Sequence, residues 1–188
     1  MTDKVQRAYE FSLRVHSSQK RKDGKPYILH PYSVANLLFR NGADEDLICA
    51  GFLHDTIEDG KVTEDELKEK FGEEVLRIVL FDTENKSLPW LERKQNTLNA
   101  LKECDRKCAM LVCADKLANL IDIHRDLKEM GEKVWDNFKY GRKEQEWLYR
   151  SFLEVLRPLS DLKMYFELTE LVDTVFGKGE FHANDNRK

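Results

Sequence analysis

The 188-residue chain carries 31 Lys and Arg against 35 Asp and Glu, a formal charge of −4, with 41% hydrophobic and 10% aromatic residues. That apolar content is enough for one packed domain and excludes a disordered chain, although 35% of residues are charged. The acidic balance excludes a broad nucleic-acid-coating face, and no run approaches the ~20 apolar residues of a membrane helix.

Helical spacing runs almost throughout, and no alternating apolar–polar run bounded by turns marks a strand. The polar start, MTDKVQRAYE, is unlike a secretory signal, so a cytoplasmic protein is expected. Val5, Ala8, Ser12 and Val15 follow a helical period behind Thr2 and Asp3 as caps. The basic stretch QKRKDGKPY interrupts it, and Pro31 opens a second helix as a first-turn proline. A third begins at Asp44 and is expected to run on through HDTIED. Thr63 with Glu66 forms a capping-box signature for a short fourth helix, and Gly72 separates it from EEVLRIVLF. After the polar DTENKSLP, helices are predicted over 89–103, 105–130, 141–156 and 158–176. The expectation is an all-α fold, a single domain of about eight helices over residues 1–176, with 177–188 as a frayed tail. Trp135, Phe138, Trp147 and Phe152, at helical intervals, are assigned to the core rather than to a subunit contact, and oligomeric state is left open. Cys49, Cys104, Cys108 and Cys113 contain no Cys-x-x-Cys pair and read as buried, reduced thiols.

The chemical signal lies in His54-Asp55-Thr56-Ile57-Glu58-Asp59. On a continuous helix, at about 100° per residue, its four ionisable groups share one side, away from Leu47, Ala50, Gly51 and Leu53. Adjacent carboxylates repel, and a compact cation is the simplest means of holding them together. An imidazole among them suits a divalent transition ion such as Mn²⁺, Fe²⁺ or Zn²⁺ better than Ca²⁺. Alone, the segment reads as a solvated acidic helix end; its company changes that. His30 stands at a helix entry, and Asp115 lies inside the apolar Met110–Ala114 run, where a carboxylate needs a metal or a cationic partner. His124 points about 180° from Asp115 on the same helix. His16 reads as a hydrogen-bonded structural side chain, and His182 falls in the tail.

The joint spacing of His30, His54-Asp55 and Asp115 resembles the HD superfamily of metal-dependent phosphohydrolases. More narrowly, residues 16–31, the HDTIED segment and Ala114-Asp115-Lys116-Leu117-Ala118-Asn119-Leu120 are similar to the RelA/SpoT hydrolase domain. The segment NKSLPWLERK is similar to the stand-alone small alarmone hydrolases of the animal SpoT-homologue type. The resemblance covers about residues 3–156. It implies His30, His54, Asp55 and Asp115 as ligands of one Mn²⁺, with Glu58 and Asp59 positioning and deprotonating the attacking water. The implied reaction removes the 3′-pyrophosphate of guanosine tetra- or pentaphosphate, with no synthetase activity and a small nucleotide as the only partner. Arg21 and Lys22 match positions that contact the base, and Asn119 a position that contacts the ribose. Lys86, in the polar stretch beside the expected site, is a candidate for holding a phosphate or a plain surface lysine.

Two positions depart from that pattern. Asp82 stands where close relatives usually have Val, and Ile121 where many have Arg. They motivate a second reading, the same metal chemistry on an adenine alarmone, a nicotinamide dinucleotide phosphate or another nucleotide monoester. A non-catalytic nucleotide sensor is the third reading, and the intact ligands and acidic pair stand against it. Asp122, about 20° from Asp115 around the helix, faces the same side with its role open.

Overall fold

The structure, a computed structural model, describes residues 2–21, 23–58 and 62–178. Among these lie nine α-helices: α1 (Asp3–Val15), α2 (Leu29–Arg40), α3 (Glu45–Leu53), α4 (Glu64–Phe71), α5 (Glu73–Asp82), α6 (Trp90–Leu101), α7 (Arg106–Met130), α8 (Arg142–Val155) and α9 (Lys163–Phe176). The all-α expectation holds, with one helix more than the expected eight. Beyond the helices, an isolated bridge pairs Lys20 with Pro26.

Local chemistry sets the helix starts. Thr2, Asp44, Thr63 and Asp105 each accept a backbone N–H three residues ahead, Val5, Leu47, Glu66 and Cys108 respectively. Each such cap is worth about 1 kcal/mol. Gly72, at φ +93°, closes α4 and opens α5 in a conformation that favours glycine. Several features differ from the sequence expectation, beginning with α2, which starts at Leu29, two residues before Pro31. The third helix stops at Leu53, because the Thr56 amide and hydroxyl both take the Leu53 carbonyl, at 3.0 and 2.6 Å, and turn the chain. The predicted 158–176 helix divides into a short 3-10 turn, Arg157–Leu159, and α9. A second 3-10 segment, Gly131–Asn137, follows α7.

The 25-residue α7 runs through the middle and packs on α2, α3, α5 and α9. Leu111, Val112, Cys113, Ala114, Leu117 and Leu120 are all buried, so this helix is apolar around most of its circumference at its centre. That is why an ionisable Asp115 in the same stretch demands a partner. Between α2 and α3 the backbones touch. A β-carbon on Gly51 would lie 2.8 Å from Leu38 Cδ1 and 3.0 Å from Ala35 Cα. Only glycine permits that approach, and it packs the C-terminal part of α3 against the middle of α2.

Trp135 and Phe152 are buried as expected. Phe138 is half-buried, and Trp147 is 38% exposed, so it is not a core residue; its ring lies near Trp90 on the surface. The four cysteines are free, with Cys104 only half-buried. Burial pushes the thiols of Cys49, Cys108 and Cys113 up to about 12, which makes them inert. Among the described residues no helix is long and apolar enough to cross a membrane.

Candidate metal centre

Three helices deliver four side chains to one point. His30 is the second residue of α2, His54 caps the end of α3 with Asp55 following, and Asp115 comes from the middle of α7. His30 Nε2 and His54 Nε2 are 3.2 Å apart. His30 Nε2 lies 3.0 Å from Asp115 Oδ1, and His54 Nε2 lies 3.1 Å from Asp55 Oδ2. Both crossed pairs, His30 with Asp55 and His54 with Asp115, measure 3.8 Å. His30, His54 and Asp115 are buried, with donor atoms within 4.8 Å of one another.

A further layer orients them. The Gly51 carbonyl, 3.0 Å from His54 Nδ1, fixes the proton on that nitrogen and turns the Nε2 lone pair to the centre. The Tyr27 hydroxyl donates to Asp55 Oδ2 at 2.6 Å, Asn119 Nδ2 donates to Asp115 Oδ1 at 2.7 Å, and Lys116 Nζ pairs with Asp115 Oδ2. Ligating side chains are typically held in this way.

The electrostatics are extreme. Burial alone would depress His54, yet the carboxylates of Asp55 and Asp115 push it up to about 10. Burial raises the two carboxyls, but His54 holds Asp55 below the usual range and Lys116 with His30 does the same for Asp115. Two facing imidazole nitrogens 3.2 Å apart cannot both present lone pairs without a cation or a proton between them. A divalent ion satisfies all four inward atoms together, and two imidazoles with two carboxylates suit a transition metal. The residues fit such an ion.

Glu58 lies in the turn after α3, not on a continuing helix. Its Oε2 accepts the Glu84 N–H at 3.2 Å, and its Oε1 meets Lys86 Nζ at 3.2 Å. Lys86 therefore approaches the acidic group. Glu84 is itself tied down by Arg93 at 2.9 Å and Lys94 at 2.7 Å, which fastens the α5–α6 loop to α6. Asp59 and Lys22 lie outside the described residues. His16 is buried, bonded to Gln19 and packed on Tyr27, a structural role as expected.

A cleft of about 380 Å³ adjoins the centre. Its lining includes Tyr27, Lys116 and Asn119, the same groups that bind the buried carboxylates. Arg21 and Asp122 line it on one side, with Lys94 and Trp90 also on its walls; Trp90 stacks on Tyr140 at 4.4 Å and 21°. Asn119 joins cleft to centre, because its amide oxygen accepts from Arg21 Nη2 at 3.2 Å while its nitrogen donates to Asp115. Of the two departures, Ile121 is 45% exposed and does not line the cleft. Asp82 is half-buried, and burial, against the pull of Lys116, pushes it up to about 7. Sequence reasoning missed Tyr27, Lys94 and Lys116. Lys116 was signalled by the need of Asp115 for a cation, supplied by the very next residue; Tyr27 carried no signal of its own.

The chain matches the family model described as HD domain over residues 8–146. It is 38% identical over 137 residues to the guanosine-3′,5′-bis(diphosphate) 3′-pyrophosphohydrolase of Danio rerio, covering 70% of this chain and 76% of that one. The human protein of that description is 40% identical over 122 residues, 63% of this chain and 68% of its own. Among solved structures, a Listeria monocytogenes protein superposes with a TM-score of 0.75 at 35% identity, covering 79% of this chain and 99% of its own. A metazoan SpoT orthologue described as hydrolysing ppGpp superposes at 0.79, at 21% identity over 95% and 98%, which shows a shared fold.

Proposed function

The chain belongs to the HD domain family, and on that premise we propose that it is a metal-dependent hydrolase of guanosine tetra- and pentaphosphate, releasing the 3′-pyrophosphate. One observation carries the reading: two histidines and two aspartates from three helices converge beside a polar cleft in a chain that resembles enzymes of that description. His30, His54, Asp55 and Asp115 would hold the ion, for which we take Mn²⁺. Bound there, it supplies Lewis-acid stabilisation of charge on the phosphoryl oxygens and a lowered pKa for water.

The rest is the work of this chain. Glu58 and Asp59 follow Asp55 by three and four residues in the sequence, and we assign to this pair the proton of the attacking water. The water oxygen bonds to phosphorus, the bond from phosphorus to the 3′-oxygen breaks, and that oxygen leaves as the nucleotide hydroxyl once protonated. Lys116 and Lys94 add positive charge on the cleft wall. Arg21, Lys22 and Asn119 are assigned to the nucleoside, and Lys86 to Glu58 rather than to a phosphate. We place the protein in the cytoplasm, as one domain over residues 1–176 acting on free nucleotide and not on nucleic acid or membrane.

The test is product analysis with Mn²⁺ and guanosine tetraphosphate. Pyrophosphate and GDP are expected; orthophosphate, or no turnover, rejects the reading. Because Asp82 puts a carboxylate near Lys116, the same assay run on adenine nucleotides and nicotinamide dinucleotide phosphate tests the second reading.

A further inference from the structure

Asp122 bridges two cations at the mouth of the cleft. Its Oδ2 accepts from Arg21 Nη2 at 2.5 Å, and its Oδ1 accepts from Arg125 Nη1 at 2.9 Å. Arg125 Nη2 in turn donates to Asp23 Oδ2 at 2.9 Å. Four charges thus alternate, Arg21–Asp122–Arg125–Asp23. The outer two belong to the loop between α1 and α2, and the inner two to α7.

Arg21 and Asp23 tie this loop to α7, through these ion pairs and the Arg21–Asn119 hydrogen bond at 3.2 Å. Within it, Arg21 N–H donates to the Lys25 carbonyl at 2.8 Å and Gly24 N–H to the Arg21 carbonyl at 2.9 Å, bonds that shape the turn without docking it. Asp23, Gly24, Lys25 and Pro26 are exposed, so no apolar burial fixes the turn against α7. The side chains of Arg21 and Asp23 make that connection.

The ladder also decides what Arg21 offers a ligand. Asp122 Oδ2 and Asn119 Oδ1 both accept from Arg21 Nη2, which fixes the orientation of the guanidinium while its planar face stays available for stacking. The Arg21 guanidinium lies 5.8 Å from the Tyr27 ring centroid, on the cleft wall. We infer that Asp122 is a positioning residue for the proposed reaction, acting through Arg21: it holds the guanidinium on the cleft wall in the orientation in which its planar face meets the nucleoside. The inference rests on the reading of this cleft as a nucleotide site.

The experiment compares wild type with Asp122→Asn, Arg21→Ala and the double variant, using steady-state kinetics on guanosine tetraphosphate and equilibrium binding of GDP and ADP. Asp122→Asn is expected to raise KM and the nucleotide Kd about tenfold with kcat within about twofold. The double variant is expected to be no worse than Arg21→Ala, because both act through one group. Asp122→Glu, which keeps the charge, should restore part of the affinity. Losses that multiply in the double variant, or a fall in kcat at constant KM, would overturn the inference. So would a wild-type protein that binds neither GDP nor ADP. Wild-type binding of nucleotide without hydrolysis removes the proposed reaction and leaves the role of Asp122 standing on the Kd values.

Discussion

The two ends of the cleft are built on opposite plans. At the metal end, four ligands are set by helices whose backbones touch at Gly51, in a buried site where three of the four side chains are nearly inaccessible. At the mouth, a polar loop is pinned to α7 by ion pairs whose members are a fifth to a third exposed. Burial makes electrostatic pairs strong and their breakage costly, whereas partial exposure makes them weak and adjustable. On the proposed reading the difference separates chemistry from recognition: a reacting centre tolerates no drift, and a recognition surface can be retuned by single charges.

Substitutions should divide along the same line. The largest effect is expected for Asp115→Ala, which removes a ligand and leaves Lys116 buried without its nearest carboxylate. Elemental analysis should show the metal lost and pyrophosphate release should fall at least 10³-fold. Glu58→Gln should retain metal while kcat falls about 10²–10⁴-fold, the usual range for a lost general base. Metal loss in that variant would show that the acidic group is part of the coordination sphere. Tyr27→Phe removes only the hydroxyl that orients Asp55, and metal affinity measured by competition with a chelator should weaken about 10-fold. Gly51→Ala forces α2 and α3 apart; thermal or urea unfolding should report about 1–3 kcal/mol of destabilisation, with metal occupancy reduced as well.

A separate prediction concerns pH. In metal-free protein Asp82 is held up to about 7, against an ordinary 3.8. Above about pH 4 the unfolded chain ionises this group while the folded chain does not, so it takes stability away as pH rises to about 7 and no further beyond. Asp82→Val should flatten that limb of the stability profile. An unchanged profile would mean that Asp82 is ionised in the fold.

The all-helical class and most boundaries were legible because caps such as Thr63 and Asp105 and breakers such as Gly72 act within a few residues. That His30, His54, Asp55 and Asp115 would converge was implied only by the resemblance that three spaced segments carry. What could not be read was the end of α3, since Thr56 stops the helix by a side-chain bond that sequence periodicity does not register. The role of Lys116 was legible only in outline, since a buried Asp115 demands a cation but does not say which residue supplies it. The Arg21–Asp122 pair joins residues 101 positions apart, and only the packed fold brings them together.

One helix carries both ends. Asp115 and Asp122 are seven residues apart on α7, two turns, which sets roughly 10 Å along its axis. An α-helix barely stretches, so on the proposed reading α7 works as a ruler, holding the spacing between the bond to be cut and the ring to be gripped in one rigid rod. On that reading, molecules too short to reach from one mark to the other would occupy either end but not both, and a preference for ligands of one length would follow from the helix itself.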